Sequence, residues 1–391
     1  MIRLVHAADI HAGLTALGSD VGGTNTRSLD IAASLDRLYD HAVERKAHAV
    51  VLAGDVFHGR RPSASDLLTF VRFVRRTTGA NIRVLYGSGN HDGPGTLRDV
   101  AGKTTGWLAE TGIPLLHAYP EPTVEVLRFD DGAELAVASL PYPHKRALEA
   151  LYPESSPEER TEMVSRQVEG LIMNLAETAR DRYAGLPLLF VGHLSVVGAL
   201  AGSEATMQIG WDVTVSAHAF DLYDYAALGH LHPQQRISDK AWYAGSPQYV
   251  SFGEINQQKG FLYVELDGPE VAPVLLDSAA RPMVSLDIPD DSSPVAGIVD
   301  VVPEGAIVRL RLAETLASDY ESRLITAVAG RASFVHKERV RVESAVPRAR
   351  VEMAPEEGVV ATTKRWLAVN GYPEEPYMTA AQEVLAEAAA E

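Results

Sequence analysis

The chain has no cysteine in its 391 residues. That excludes disulfides, thiolate zinc sites and cysteine nucleophiles, so any metal must be held by His, Asp, Glu or Asn. Such a donor set favours hard or borderline ions. Also missing is any apolar run long enough to span a bilayer. The amino terminus enters a strand-like segment directly, without the charged, apolar and small-residue zones of a signal peptide, so a cytoplasmic location and no membrane partner are expected. Positive charge is scarce: 35 Lys and Arg face 52 Asp and Glu, a formal charge of −17. This argues against a broad basic surface that clamps a polyanion by charge alone, although bound divalent ions add positive charge that the count omits.

What is present is ample apolar material, 46% of the residues, in a chain longer than one core sustains. A main domain plus something smaller is expected. Five apolar segments read as buried strands: IRLVHAAD, AHAVVLAGD, IRVLYGSGN, LPLLFVGH and YAALGH. Between the first two, Ile31, Leu35, Leu38 and Val43 keep near-helical spacing behind Ser28 as a cap. A second helix ends at Gly79, and a longer one covers SPEERTEMVSRQVEGLIMNLAETARDRYA. Strand and helix in alternation point to an α/β fold with a largely parallel sheet. The strands AWYAGS, KGFLYVELD and APVLLD read as further, antiparallel sheet. After Pro282 the pattern becomes a small β-β-α-β unit, and two helices follow in the tail.

Each of the five strands runs into residues with metal-ligand chemistry, at the carboxyl ends where α/β sheets gather their ligands. ADIH places Asp9 and His11 two apart, on one face if the segment is extended. AGDVFH supplies Asp55 and His58, and GSGNHDG supplies Asn90, His91 and Asp92. His193 closes the fourth strand, and GHLH gives His230 and His232. One Asp or His at a strand end is ordinarily a turn former or a cap; recurrence at all five ends is what points to chemistry. Two carboxylates, one amide and four imidazoles can hold two divalent ions if one carboxylate bridges them, an arrangement suited to phosphate-ester hydrolysis. Mixed imidazole and oxygen ligands suit Mn2+ or Fe, whereas Mg2+ prefers oxygen and water.

In order and spacing, DIH…GDVFH…GNHD…GH…GHLH resembles the calcineurin-like metallophosphoesterase signature. HAADIHAG, YAALGHLHPQQ and WYAGSPQYVSFGEINQQKGF, with its GS…SF.E…KG block, resemble more narrowly the SbcD (Mre-type) subunits of DNA-repair nucleases. The resemblance implies a metallophosphoesterase sandwich of mixed sheets flanked by helices over 1–279, a small α+β cap domain over 280–350 and a helical tail over 351–391. By position, it assigns Asp9, His11, Asp55 and His232 to one ion, and Asp55, Asn90, His193 and His230 to the other. It makes His91 the catalytic histidine, Asp92 its orienting partner and His58 a contact to the scissile phosphate. The implied activity is Mn2+-dependent DNA cleavage, as a 3′-to-5′ exonuclease and a single-strand or hairpin endonuclease.

SbcD relatives dimerise, and their tails bind an SMC-like ATPase, SbcC. A homodimer and an ATPase partner are therefore expected. In the cap, Lys337, Arg339 and Arg341 alternate and share a strand face that can meet phosphates or serve simply as a solvated surface. In the acidic tail, Trp366, Leu367, Val384 and Leu385 are the candidate ATPase anchors. His6, His41, His48, His117, His144, His218 and His336 read as structural, and Trp107, Trp211 and Trp242 as core. Two other functions stay open: a phosphoesterase acting on small nucleotides, and a non-catalytic scaffold that binds DNA ends.

Overall fold

The computed structural model describes residues 1–92, 104–200, 212–267, 271–340, 359–369 and 378. All five apolar segments are strands, divided between two sheets. β1 (Ile2–Ala7), β2 (Ala49–Ala53) and β3 (Arg83–Gly87) run parallel, with β4 (Leu116–Tyr119) beyond β3. The second sheet takes β5 (Thr123–Arg128), β6 (Glu134–Leu140), β7 (Leu188–His193), β8 (Tyr225–Gly229), β9 (Gln235–Arg236) and β10 (Ala241–Tyr243). Its order is β9-β10-β8-β7-β6-β5. The chain then returns to the first sheet as β11 (Gly260–Leu266), antiparallel to β1, and β12 (Val274–Asp277) at the edge. AWYAGS meets the antiparallel expectation on one side only: β10 lies antiparallel to β9 and parallel to β8.

The sheets pack face to face. Leu4, Val51 and Leu85 of the first meet Val137, Leu189, Val191 and Tyr225 of the second in one core. Helices cover the outer faces: α1 (Thr26–Glu44) and α2 (Ala64–Gly79) on the first sheet, α3 (Pro157–Arg182) on the second. Burial on both faces is why these strands read as unbroken apolar runs. Helix starts follow capping chemistry. Ser63 and Asp66 form a reciprocal capping box on α2, as Ser156 and Glu159 do on α3. The cap of α1 is Asn25, three residues before the expected Ser28, because its side chain accepts from Arg27 N. Val43 faces outward at 43% exposure, and Ala42 takes the buried position.

The third sheet, β13 (Met283–Ile288), β14 (Ile307–Ala313) and β15 (Phe334–Val340), is wholly parallel. The expected β-β-α-β order omits α4 (Val295–Asp300), a one-turn-scale helix too short to show periodicity, which carries the chain back between β13 and β14. α5 (Ser318–Ala329) makes the second crossover and buries Leu324 and Val328 on Val308 and Leu310. Arg281 ties this unit to the first sheet's helix layer: its Nε donates to Asp30 (2.7 Å) and its guanidinium to the Gly305 carbonyl (2.8 Å).

Arg339 on β15 pairs with Glu321, so the basic face is partly neutralised within the unit, and Arg341 lies outside the described residues. Leu367, on α6 (Val359–Val369), is 4% exposed. Val384, Leu385 and Trp211 also lie outside the described residues. Trp107 is 46% exposed and is not core.

Candidate metal centre

The residues beyond β1 and β2 are zipped together by backbone hydrogen bonds: Asp9 N to Gly54 O (3.1 Å), His11 N to Asp55 O (3.0 Å) and His58 N to Ala12 O (2.8 Å). Asp9, His11 and Asp55 all adopt left-handed backbone, with φ of 52°, 53° and 48°. The two-residue alternation of an extended segment is therefore not what aims Asp9 and His11. Strained φ at three such positions is a local cost maintained by the zipped loops. Glycine makes the close approach possible: a Cβ on Gly54 would overlap the His193 ring, and one on Gly89 would overlap Asp55.

Three overlapping groups of ligand atoms result among the described residues: Asp9, His11 and His232; His11, Asp55 and His91; Asp9, Asp55 and His193. Within each group the atoms lie within 4.8 Å of one another. Asn90 joins through its Oδ1, 3.0 Å from His193 Nε2. Asp55 holds its place by accepting from His91 N (2.8 Å), and Asp9 by accepting from His230 N (3.1 Å).

The chemistry of these contacts fits cations. His193 Nδ1 sits 2.8 Å from the Ala53 carbonyl, which can only accept, so the neutral ring keeps its proton there and leaves Nε2 as the nitrogen free to ligate. Nε2 faces Asn90 Oδ1 and, at 3.4 Å, Asp55 Oδ2, so the position between them takes either a proton on Nε2 or a cation. Burial alone would depress His193's proton affinity, but Asp55 and then Asp9 outweigh it and hold the pKa up at about 9. The same negative potential favours a divalent ion. His11 is the opposite case: burial, reinforced by the His232 ring, keeps it neutral, the form a ligand requires. Its Nδ1 is buried without a hydrogen-bond partner among the described residues, and its Nε2 lies 3.0 Å from His232 Nε2.

Carboxylates that the motif reading did not single out set the ring orientations. Glu254 Oε1 accepts from His232 Nδ1 (2.8 Å), which leaves Nε2 as the lone-pair nitrogen. Its other oxygen accepts from Lys259 Nζ (2.7 Å) and Val250 N (3.0 Å), while Lys259 also donates to Ser246. Glu254 and Lys259 are the E and K of the GS…SF.E…KG block, and these contacts are their physical purpose. Asp212 does the same for His230, at 2.8 Å from Nε2, and also accepts from the Tyr142 hydroxyl (2.6 Å). His230 belongs to none of the three ligand groups; its ring centroid lies 5.1 Å from that of His193, with Nδ1 left as the lone-pair nitrogen. No motif signals Asp212, which follows β7 by a long connection.

Asp92, which the resemblance makes the orienting partner of His91, accepts from Gly89 N (2.8 Å) and Phe57 N (3.1 Å), stapling the two ligand-bearing loops together. Burial and the Asp55 charge push it up to about 6. The partner of His91 is the His58 carbonyl, 2.7 Å from Nδ1, which directs Nε2 toward Asp55 Oδ2 at 3.9 Å. The His91 side chain is 35% exposed, whereas His193 and His232 are buried. His58 stacks beside His91, with ring centroids 5.9 Å apart.

The family described as calcineurin-like phosphoesterase matches residues 2–234, well over half of the chain. The protein belongs to this family of metal-dependent hydrolases, and the fold is the family's mixed α/β sandwich. Among solved structures it is similar to a dimetal phosphatase from Danio rerio, at 13% identity over 70% of this chain and 98% of that one, TM-score 0.40. It is also similar to the protein TT1561 of Thermus thermophilus, at 12% identity over 70% and 98%, TM-score 0.39. The same holds for GAP50, the anchor in the inner membrane complex of Plasmodium, at 12% identity over 89% and 99%, TM-score 0.39. Among the described residues, no helix is long and apolar enough to cross a membrane.

Proposed function

We propose that the protein is an SbcD-type DNA nuclease, a phosphodiesterase that cuts DNA as 3′-to-5′ exonuclease and single-strand or hairpin endonuclease. The observation that supports the narrower reading is the Ser246–Lys259–Glu254–His232 chain. The block through which the sequence resembles SbcD subunits folds onto a histidine of the metal cluster rather than onto a distant surface. In this reading 1–279 is the nuclease domain, 280–350 the cap, and 351–391 a tail that docks on an SbcC-type ATPase, with two copies pairing in a homodimer.

Asp9, His11, Asp55 and His232 would hold one ion, and Asp55, Asn90, His193 and His230 the other. When bound, two such ions, Mn2+ in this reading, would supply an activated water and neutralise charge on the phosphate oxygens. The chain's own residues do the rest. His91 is partly exposed to solvent, with Nδ1–H fixed by the His58 carbonyl. Its Nε2 is the atom that carries a proton to the leaving oxygen when the ring is protonated. His58, stacked beside it, is placed to contact the same phosphate. Asp92 keeps both loops in register. His91 falls in one of the ligand groups, but the two assigned ligand sets are complete without it and its side chain is partly exposed, which favours catalysis over a scaffold role.

Plasmid-length DNA, a short oligonucleotide and a nitrophenyl phosphodiester, each assayed with Mn2+, test this reading. Cleavage of all three is expected. Turnover confined to the nitrophenyl ester would overturn the nuclease reading, and turnover of none would overturn the enzyme.

A further inference from the structure

Beside the metal centre lies a cavity of about 460 Å³ that the mechanism does not use. It is bounded by the β4–β5 turn, by the segment leaving β6 and by α3. Because β4 and β6 both end there, it opens on the same carboxyl edge as the metal ligands. Pro120, Pro122, Pro141 and Pro143 contribute four of its walls, so its shape is set before any ligand arrives. Leu148 and Leu171 make its sides apolar.

Tyr142 is the partition between cavity and metal centre. Its ring centroid is 6.0 Å from His193 and 5.7 Å from His230. Its hydroxyl is held by Asp212, and its backbone N donates to Ser88 O (2.9 Å) in the loop that carries Asn90 and His91. The ring is therefore fixed against the ligand histidines, and the same residue lines the cavity.

The lining defines the ligand class. Among the described residues no cation lines the cavity, and its one charged residue is Glu121, so a phosphate is disfavoured there. A flat, neutral, largely apolar group with polar edges fits, with the Gln167 amide and the Glu121 carboxylate available to meet those edges. We propose that this cavity is a nucleobase subsite, receiving the base of the nucleotide whose phosphate sits at the metal centre and stacking it on Tyr142 or the prolines. The inference rests on the phosphodiesterase reading and deepens it.

The test compares thymidine 5′-(4-nitrophenyl phosphate) with methyl 4-nitrophenyl phosphate, which share a leaving group and differ by the nucleoside. Leu171 is 37% exposed on α3, so Leu171→Asp places charge in the cavity without opening the core. The ratio of kcat/KM values, thymidine ester over methyl ester, is expected to fall about 5- to 150-fold, the size of one base-stacking contact. The methyl ester should be unaffected. Leu171→Phe, which fills the cavity and keeps it apolar, should give the same selective loss. An unchanged ratio in either variant, at wild-type thermal stability, overturns the subsite. Calorimetry of thymidine 5′-monophosphate against methyl phosphate on Mn2+-loaded protein needs no turnover. If neither ester is hydrolysed, the phosphodiesterase reading fails, and calorimetry still decides the subsite: equal affinities for the two phosphates refute it.

Discussion

Replacing Glu254 by Gln keeps the shape of the side chain and an oxygen for His232 Nδ1, but removes the charge. Two consequences follow from the geometry, and they separate. The first is on stability. The Lys259 ammonium is 1% exposed and Glu254 0%, so the variant buries a cation without its anion, at a cost of about 3–5 kcal/mol. The pH dependence agrees. Although burial opposes ionisation, His232 and Lys259 hold Glu254 down at about 2, against an ordinary 4.5. A depressed carboxylate stabilises the fold fully above its unfolded pKa and loses that contribution as pH falls through the folded one. The contribution is about 3 kcal/mol, present above roughly pH 4.5 and gone near pH 2. The second consequence is on the metal. A neutral amide makes His232 a weaker and less firmly oriented donor, worth about 10- to 100-fold in affinity.

Urea unfolding from pH 3 to 7 and calorimetric Mn2+ titration measure the two effects. Adding Lys259→Met to Glu254→Gln removes the buried cation and should restore most of the stability while leaving metal affinity low. Recovery of both together would show that Glu254 acts on the fold alone, and wild-type values for both in the single variant would refute the electrostatic argument altogether.

His91→Gln should keep both ions and DNA affinity while turnover falls by about 10²–10⁴, whereas His193→Gln should lose metal and rate together. Metal content and single-turnover cleavage decide this, and comparable metal loss in the two would make His91 a ligand. Activity should be strong with Mn2+ and slight with Mg2+, because imidazoles fill much of the site; equal rates at saturation would contradict that. Asp212→Asn should weaken the binding of one ion about 10- to 100-fold, through His230, and spare the other. Asp212→Glu should recover part of the loss, and equal weakening at both sites, read by calorimetry, would dissociate Asp212 from His230.

The sequence alone determined the strands and the donors. A strand buried on both faces must be continuously apolar, so β1, β2, β3, β7 and β8 were legible, as were the Asp, Asn and His residues that end them. What chain order could not convey is how those ends meet. Alternating strands and helices indicate a largely parallel sheet, and the resemblance implies a sandwich of mixed sheets, but which strand joins which sheet is not legible: the first three lie in one and the other two in the opposing one, and side-chain periodicity records burial and not which neighbour provides it. Asp9 and His11 were chosen for a two-residue spacing, but left-handed backbone, fixed by the hydrogen-bonded loops after β1 and β2, is what points them inward. The partners of the ligands were least legible. Asp212 reaches His230 from 18 residues away and Glu254 reaches His232 from 22, while Asp92, adjacent to His91, turns to Gly89 and Phe57 instead. Hydrogen bonds depend on where side chains converge in space, and only the packing of the two sheets brought these groups within reach of one another.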